Sequence, residues 1–210
     1  MKNYDKAVQE FLKQLENRKI IAFSGSAPNG SKRRAQKVVR ESFEVLDGLP
    51  IAILTGGTDF DVQRYAVQGA KRHNMPTIGI FPKRGAKYEI EGLDFALEVE
   101  PKYGTSEWGD ESEIYSKLPQ GVEVIGGGMG SVIEFAHIMK MNDGRLRHGK
   151  EPVYVAPIFG LGGEYALFSD CLFKGCHASR DVKARCLPDY RILNGREAAR
   201  FLVDKLRLRE

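Results

Sequence analysis

The run Ile125-Gly126-Gly127-Gly128-Met129-Gly130-Ser131-Val132-Ile133-Glu134 combines residue types whose spacing points to chemistry. An apolar stretch from Val122 to Ile125 ends in glycines, and the glycines open into a helix-like stretch from Val132 to Met141. Strand, glycine turn and helix start make a phosphate-binding arrangement. Glycine lets the backbone turn sharply and approach a ligand, and the first N–H groups of a helix point at an anion with the macrodipole behind them. Ser131 adds a hydroxyl donor where a phosphate oxygen would lie, and Glu134, one turn into the helix, is the carboxylate near it. Taken alone, the motif fits a phosphate cradle and a glycine turn that binds nothing equally well.

Two more turns of the same kind precede it. Lys19 to Phe23 leads into Ser24, Gly25 and Ser26, and Lys32, Arg33 and Arg34 open the helix that follows. Ile51 to Leu54 leads into Thr55, Gly56 and Gly57, followed by a helical run from Val62 to His73. In an open parallel α/β sheet such turns all lie at the carboxyl ends of the strands, where ligands bind at the reversal of strand order. The candidate nucleotide- or phosphate-binding residues are therefore Ser24, Gly25, Ser26, Thr55, Gly56, Gly57, Gly127, Gly128, Met129, Gly130 and Ser131. Arg33 is the basic partner for the anion, and Glu134 is the candidate catalytic residue. Asp59 and Asp61 can touch ribose hydroxyls or a metal, or serve as cap and dipole partners of the helix beginning there.

These residues need elements to position them. Val8, Phe11, Leu12 and Leu15 recur at helical spacing, so Tyr4 to Asn17 reads as an amphipathic helix. Further helices are expected over Lys32–Leu46, Val62–His73, Asp110–Leu118, from Val132 through Met141, near Glu164–Phe173, and over Arg196–Arg209 with Asn194 as N-cap. Strands are expected at Lys19–Phe23, Ile51–Leu54, Thr77–Phe81, Phe95–Val99, Val122–Ile125, Pro152–Ala156 and Tyr190–Leu193. Between them, Lys102 to Gly109 is a polar loop holding the chain's one tryptophan, Trp108, and Asn142 to Lys150 is a second loop. Short apolar strands alternating with helices predict an α/β fold: a single doubly wound, mainly parallel, Rossmann-like sheet with helices on both faces, one domain over residues 1–210.

Bulk properties narrow the partners. Hydrophobic content of 42% and charged content of 29% are those of a soluble globular protein. The net charge of +4 suits an anionic small ligand. The basic residues are spread along the chain, so nucleic acid is not expected as a partner, and no run is long enough for a membrane span. The N-terminal residues lack the apolar core of a signal peptide, which predicts a cytoplasmic protein. Cys171, Cys176 and Cys186 match no paired-cysteine zinc pattern and are expected to be free thiols, with no metal site.

The motifs also resemble a known family. Gly127-Gly128-Met129-Gly130-Ser131 with Glu134 is similar to the Pro-Gly-Gly-x-Gly-Thr-x-x-Glu signature of the LOG-type proteins, long described as lysine decarboxylase-like. Ser24-Gly25-Ser26 and Thr55-Gly56-Gly57 stand where that family has its first two strand-end turns, and Thr77 to Pro82 resembles the stretch after them. The resemblance covers most of residues 19 to 157 and implies membership of the wider SLOG superfamily of Rossmann-like domains. It implies a homodimer that holds a nucleotide or nucleotide-derived ligand at the strand ends. In the LOG enzymes the reaction is hydrolysis of the N-glycosidic bond of a nucleoside 5′-monophosphate, with Glu134 at the signature glutamate. Two departures stand out. Gly126 replaces the signature proline, as in the molybdenum-cofactor-carrier-like branch, and Glu111 falls where the hydrolases carry an arginine. A carboxylate cannot replace a guanidinium that clamps an anion. Binding of a nucleotide or nucleotide-derived ligand is therefore the primary expectation, with catalysis left open: phosphoribohydrolase activity is the alternative, and DprA-like binding of single-stranded DNA a weaker one.

Overall fold

The structure is a computed structural model and describes residues 2–27, 30–166, 170 and 180–210. Its centre is one sheet of six parallel strands: β1 (Lys19–Ser26), β2 (Ile51–Thr55), β3 (Thr77–Pro82), β4 (Phe95–Val99), β5 (Gly121–Gly126) and β6 (Tyr154–Ile158). The spatial order is β4-β3-β2-β1-β5-β6, so the winding reverses between β1 and β5. Every residue of β2, β3 and β5 is buried, as expected where helices cover both faces of a parallel sheet.

One face carries α1 (Lys2–Gln14), α4 (Ser112–Lys117), α5 (Met129–Arg147) and α6 (Arg180–Cys186), which share a core cluster through residues such as Phe11, Tyr115, Phe135, Ile138 and Val182. The other carries α2 (Lys32–Leu46), α3 (Asp61–Arg72) and α7 (Gly195–Leu206), packed through Val38, Phe43, Val62, Ala66 and Leu202. The helix that follows β1 and the helix that follows β5 thus lie on opposite faces. Between the two strand ends a cleft opens, as the reversal of strand order requires.

The structure corrects several boundaries. β1 does not stop at Phe23 but continues to Ser26, pairing Ser24, Gly25 and Ser26 with Val124, Ile125 and Gly126. Only a small residue fits there: a Cβ on Gly25 (φ +147°) would lie 2.2 Å from the carbonyl oxygen of Ile125. α5 runs through to Arg147 rather than ending at Met141. Asn142, expected to start a loop, is fully buried in the helix. Its side chain donates to the Val153 carbonyl (2.7 Å) and accepts from the Val153 N–H (2.8 Å), satisfying backbone groups at the entry to β6. Tyr190–Leu193 forms no strand of its own; Ile192 makes a single bridge to Ile158.

Asn194 does cap the last helix, accepting from the Glu197 N–H at 3.0 Å. Phe135 and Met139 of α5 are in this chain's own core, so neither is available to pair with a second copy. α5 leaves Met129 (61% exposed) and Ile133 (45% exposed) as its uncovered apolar side chains. Among the described cysteines, Cys186 is free and buried, and burial pushes its thiol up to about 11. Cys171, Cys176 and the end of the helix expected to reach Phe173 lie outside the described residues.

Candidate ligand-binding site

The cleft between the ends of β1 and β5 is a cavity of ≈ 1060 Å³, at the upper end of the range for small-molecule sites. On one side it is lined by Gly128, Met129, Gly130, Ser131 and Glu134 at the start of α5, and on another by Ser24, Gly25 and Ser26. Gly128 is the N-cap of α5 and has no side chain with which to cap it, and no acidic residue stands in the first turn. The positive end of a 19-residue helix is therefore open toward the cavity. Gly127 (φ +118°) makes the turn that aims it; a Cβ there would lie 2.1 Å from the Ser131 hydroxyl. Gly128 is different, since a Cβ at that position meets nothing closer than Glu164 Oε2 at 3.4 Å.

Glu134 reaches back across the strand reversal. The Ser24 hydroxyl donates to its carboxylate at 2.5 Å, joining β1 to α5. Burial pushes the Glu134 carboxyl up to about 7; the bond from Ser24 opposes this and the neighbouring Glu111 carboxyl adds to it. Glu111, expected where the resembling hydrolases have arginine, does line the cavity, and burial raises its own carboxyl. Behind the pair, Tyr115 is fully buried; burial first, and then the charge of Glu134, holds its hydroxyl in the protonated form. The floor of the cavity thus carries two carboxyl groups with raised proton affinity rather than a carboxylate and a guanidinium.

The other candidates are placed unevenly. Gly56 and Thr58 line the cavity, while Thr55 is fully buried and spends its hydroxyl accepting from the Gly57 N–H at 3.0 Å, which shapes the turn. Gly57 lies against Gly79 of β3. Arg33 is not brought to the cavity: it lines a separate groove of ≈ 390 Å³ between α2 and α3. Arg34 donates to the Gly160 carbonyl at 2.7 Å. Asp59 pairs with Arg64, and Asp61 sits 3.2 Å from Lys32, so neither caps α3 through its side chain. Among the described residues no group of three or more His, Cys, Asp or Glu side chains is arranged to hold a metal ion, and no helix is long and apolar enough to cross a membrane.

The cations of the cavity come from a segment that sequence patterns left blank. β3 runs into a 3-10 helix, Lys83–Tyr88, whose Lys83, Arg84 and Lys87 line the cavity. Lys83 pairs with Glu100 (2.9 Å) and Arg84 with Glu107. Three aromatic side chains, Phe60, Tyr88 and Trp108, stand with them. The available signal was position: Lys83 to Tyr88 follows directly on a strand end, on the edge of the sheet where the glycine turns lie.

No protein-family model matches the sequence, and no curated protein matches it. Solved structures do match in shape. One is the molybdenum cofactor binding protein from the phototrophic bacterium Rippkaea orientalis, with a TM-score of 0.60 at 20% identity over 91% of this chain and 98% of that one. Another is the molybdenum cofactor carrier protein of Chlamydomonas reinhardtii, with a TM-score of 0.62 at 17% identity over 91% and 99%. This chain has their Rossmann-like fold. The match spans nearly the whole length of both partners.

Proposed function

We propose that this chain is a small-molecule binding protein whose ligand is a phosphate-bearing molecule of nucleotide type, held at the strand reversal as a carrier or sensor would hold it. The observation that carries this reading is the uncapped N-terminus of α5 opening, with Gly128 and Ser131, into a cavity that also presents Lys83, Arg84 and Lys87. The two similar structures are named for the molybdenum cofactor, a nucleotide-like pterin, which is compatible with a ligand of this type. Backbone and hydroxyl donors at Gly128 to Ser131 suit a phosphate, with the three cations nearby. Binding is favoured over N-glycosidic hydrolysis because Glu134 faces Glu111 where such an enzyme needs a cation to complete its contacts.

The test is thermal shift against nucleoside mono- and dinucleotides. A ligand at 100 times its Kd adds about 2.7 kcal/mol, which for a chain of this size raises Tm by roughly 5–10 °C. Gly128→Val is expected to fold, since the position has room for a Cβ, and to lose the shift because the branched side chain fills the phosphate approach. Free base should not accumulate in the same mixtures. Base release that vanishes in Glu134→Gln would instead identify a hydrolase, and no stabilisation by any nucleotide at millimolar concentration would overturn the binding proposal.

The reading includes a homodimer, as the family resemblance implies. Light scattering at micromolar concentration is expected to give about twice the 23.5 kDa chain mass. A monomer throughout that range removes this part.

A further inference from the structure

We infer that Trp108, Tyr88 and Phe60 form a stacking subsite for a flat fused-ring heterocycle, so that the ligand is recognised by its ring as well as by its phosphate. This rests on the phosphate reading above and specifies the other end of the molecule. The three side chains come from three separate segments: the N-terminus of α3, the 3-10 helix after β3, and the loop before α4. They meet at one side of the cavity with ring centroids 5.4 Å (Phe60–Tyr88), 6.1 Å (Phe60–Trp108) and 6.4 Å (Tyr88–Trp108) apart. They are 40% (Phe60), 40% (Tyr88) and 47% (Trp108) exposed. Three uncovered rings converging on a cavity wall are a costly arrangement in water unless something covers them.

The rings are held in place rather than free to collapse on one another. The Asp59 N–H donates to the Tyr88 carbonyl at 2.6 Å and the Ile90 N–H to the Gly57 carbonyl at 2.9 Å, clamping the 3-10 segment to the turn that carries Phe60. The Arg84 N–H donates to Ser106 Oγ at 3.0 Å, and Arg84 pairs with Glu107, which ties the Trp108 loop to the same segment. Trp108 lies against Gly85, where an added Cβ would be 3.2 Å from the indole. Tyr88 and Trp108 are within 26° of parallel with centroids 6.4 Å apart, the spacing of an aromatic contact pair, so with Phe60 they form one aromatic wall. The exposed part of that wall offers flat apolar surface to a further ring.

The charges fit the same ligand. Arg84 lies 5.9 Å from the centre of the Trp108 ring, and Lys87 lies 4.9 Å from that of Tyr88. A heterocycle stacked here places its electronegative ring atoms and any anionic oxygen beside these cations, while its phosphate reaches toward the start of α5. A sugar phosphate without a base leaves the aromatic side uncovered.

Trp108 is the chain's one tryptophan, so its fluorescence reports this subsite alone. Guanosine 5′-monophosphate is expected to quench that fluorescence and to bind about tenfold more tightly than ribose 5-phosphate, as one stacked base contributes. Calorimetry on Trp108→Leu, and independently on Tyr88→Leu, should show most of this preference lost while ribose 5-phosphate affinity stays within about twofold. Circular dichroism and melting identify a variant that has simply failed to fold, and two variants keep the comparison open. Equal affinity of the two ligands for the native protein, or a preference unchanged in both folded variants, overturns the ring subsite and leaves the phosphate site standing. Failure of both ligands to bind overturns the phosphate reading, and the ring subsite with it.

Discussion

Gly25→Ala is expected to destabilise this protein by more than about 3 kcal/mol, lowering Tm by roughly 8 °C or more, with much of the protein lost to aggregation on expression. Two costs act together. The residue has φ +147°, a conformation that side-chain-bearing residues rarely adopt, and a Cβ would stand 2.2 Å from the Ile125 carbonyl oxygen. That oxygen is backbone in the neighbouring strand, so relief requires β1 and β5 to separate along Ser24–Gly126, where they are paired. The same displacement pulls Ser24 away from Glu134. Scanning calorimetry of the variant beside Gly128→Val makes the contrast sharp: the first should melt early, the second close to the native protein. A Gly25→Ala protein melting within 2 °C of native would show that the strand ends are not packed as described.

Glu123→Gln is expected to stabilise the protein, and to do so only above about pH 5. Glu123 is fully buried in β5 with Ser42 Oγ donating to one carboxyl oxygen at 2.6 Å, while its other carboxyl oxygen has no partner. Burial pushes this carboxyl from an ordinary 4.5 up to about 8. The sign follows from proton linkage. Between these values the folded chain holds a proton that the unfolded chain has released, so stability falls as pH rises from about 4.5 and the loss is complete above about 8. The full loss is on the order of 5 kcal/mol. Glutamine is neutral throughout and of nearly the same shape, so the variant should match the native protein at pH 4 to 5. By pH 9 it should melt roughly 10–20 °C higher. Glu134, held up at about 7, gives the native protein a slope of the same sign, but that slope is present in both proteins and cancels in the difference. Parallel Tm–pH curves for the two would remove the buried, protonated Glu123.

The amino-acid sequence by itself determined six of the strands, the glycine turns and the Asn194 cap, because each is decided within a few neighbouring residues. Ile51 to Leu54 and Val122 to Ile125 are apolar throughout, which in a chain alternating with amphipathic helices means strands covered on both faces. Gly126 to Gly130 before a helical run could only be a turn into a helix start, and Asn194 could cap α7 because its partner, the Glu197 N–H, is three residues away. The site was legible to the same extent: Ser24, Gly25, Ser26, Gly56 and Gly128 to Ser131 are in the cavity because strand-end turns of a parallel sheet share one edge.

What only the tertiary structure decided is which distant side chains face one another. Ser24 and Glu134 are 110 residues apart and meet because the strand order puts β1 beside β5. The same order turns Arg33, on the α2 side of the sheet, into the groove against α3, although its place one helix after a glycine turn resembled that of a phosphate ligand. Lys83 to Tyr88 and Trp108 carry no periodic pattern of their own. They become a wall of charge and aromatic surface because backbone bonds to Gly57, Asp59 and Ser106 draw three segments together. Local pattern is set by the torsions and burial of adjacent residues; convergence is set by strand order and loop closure, which leave no periodic mark along the chain.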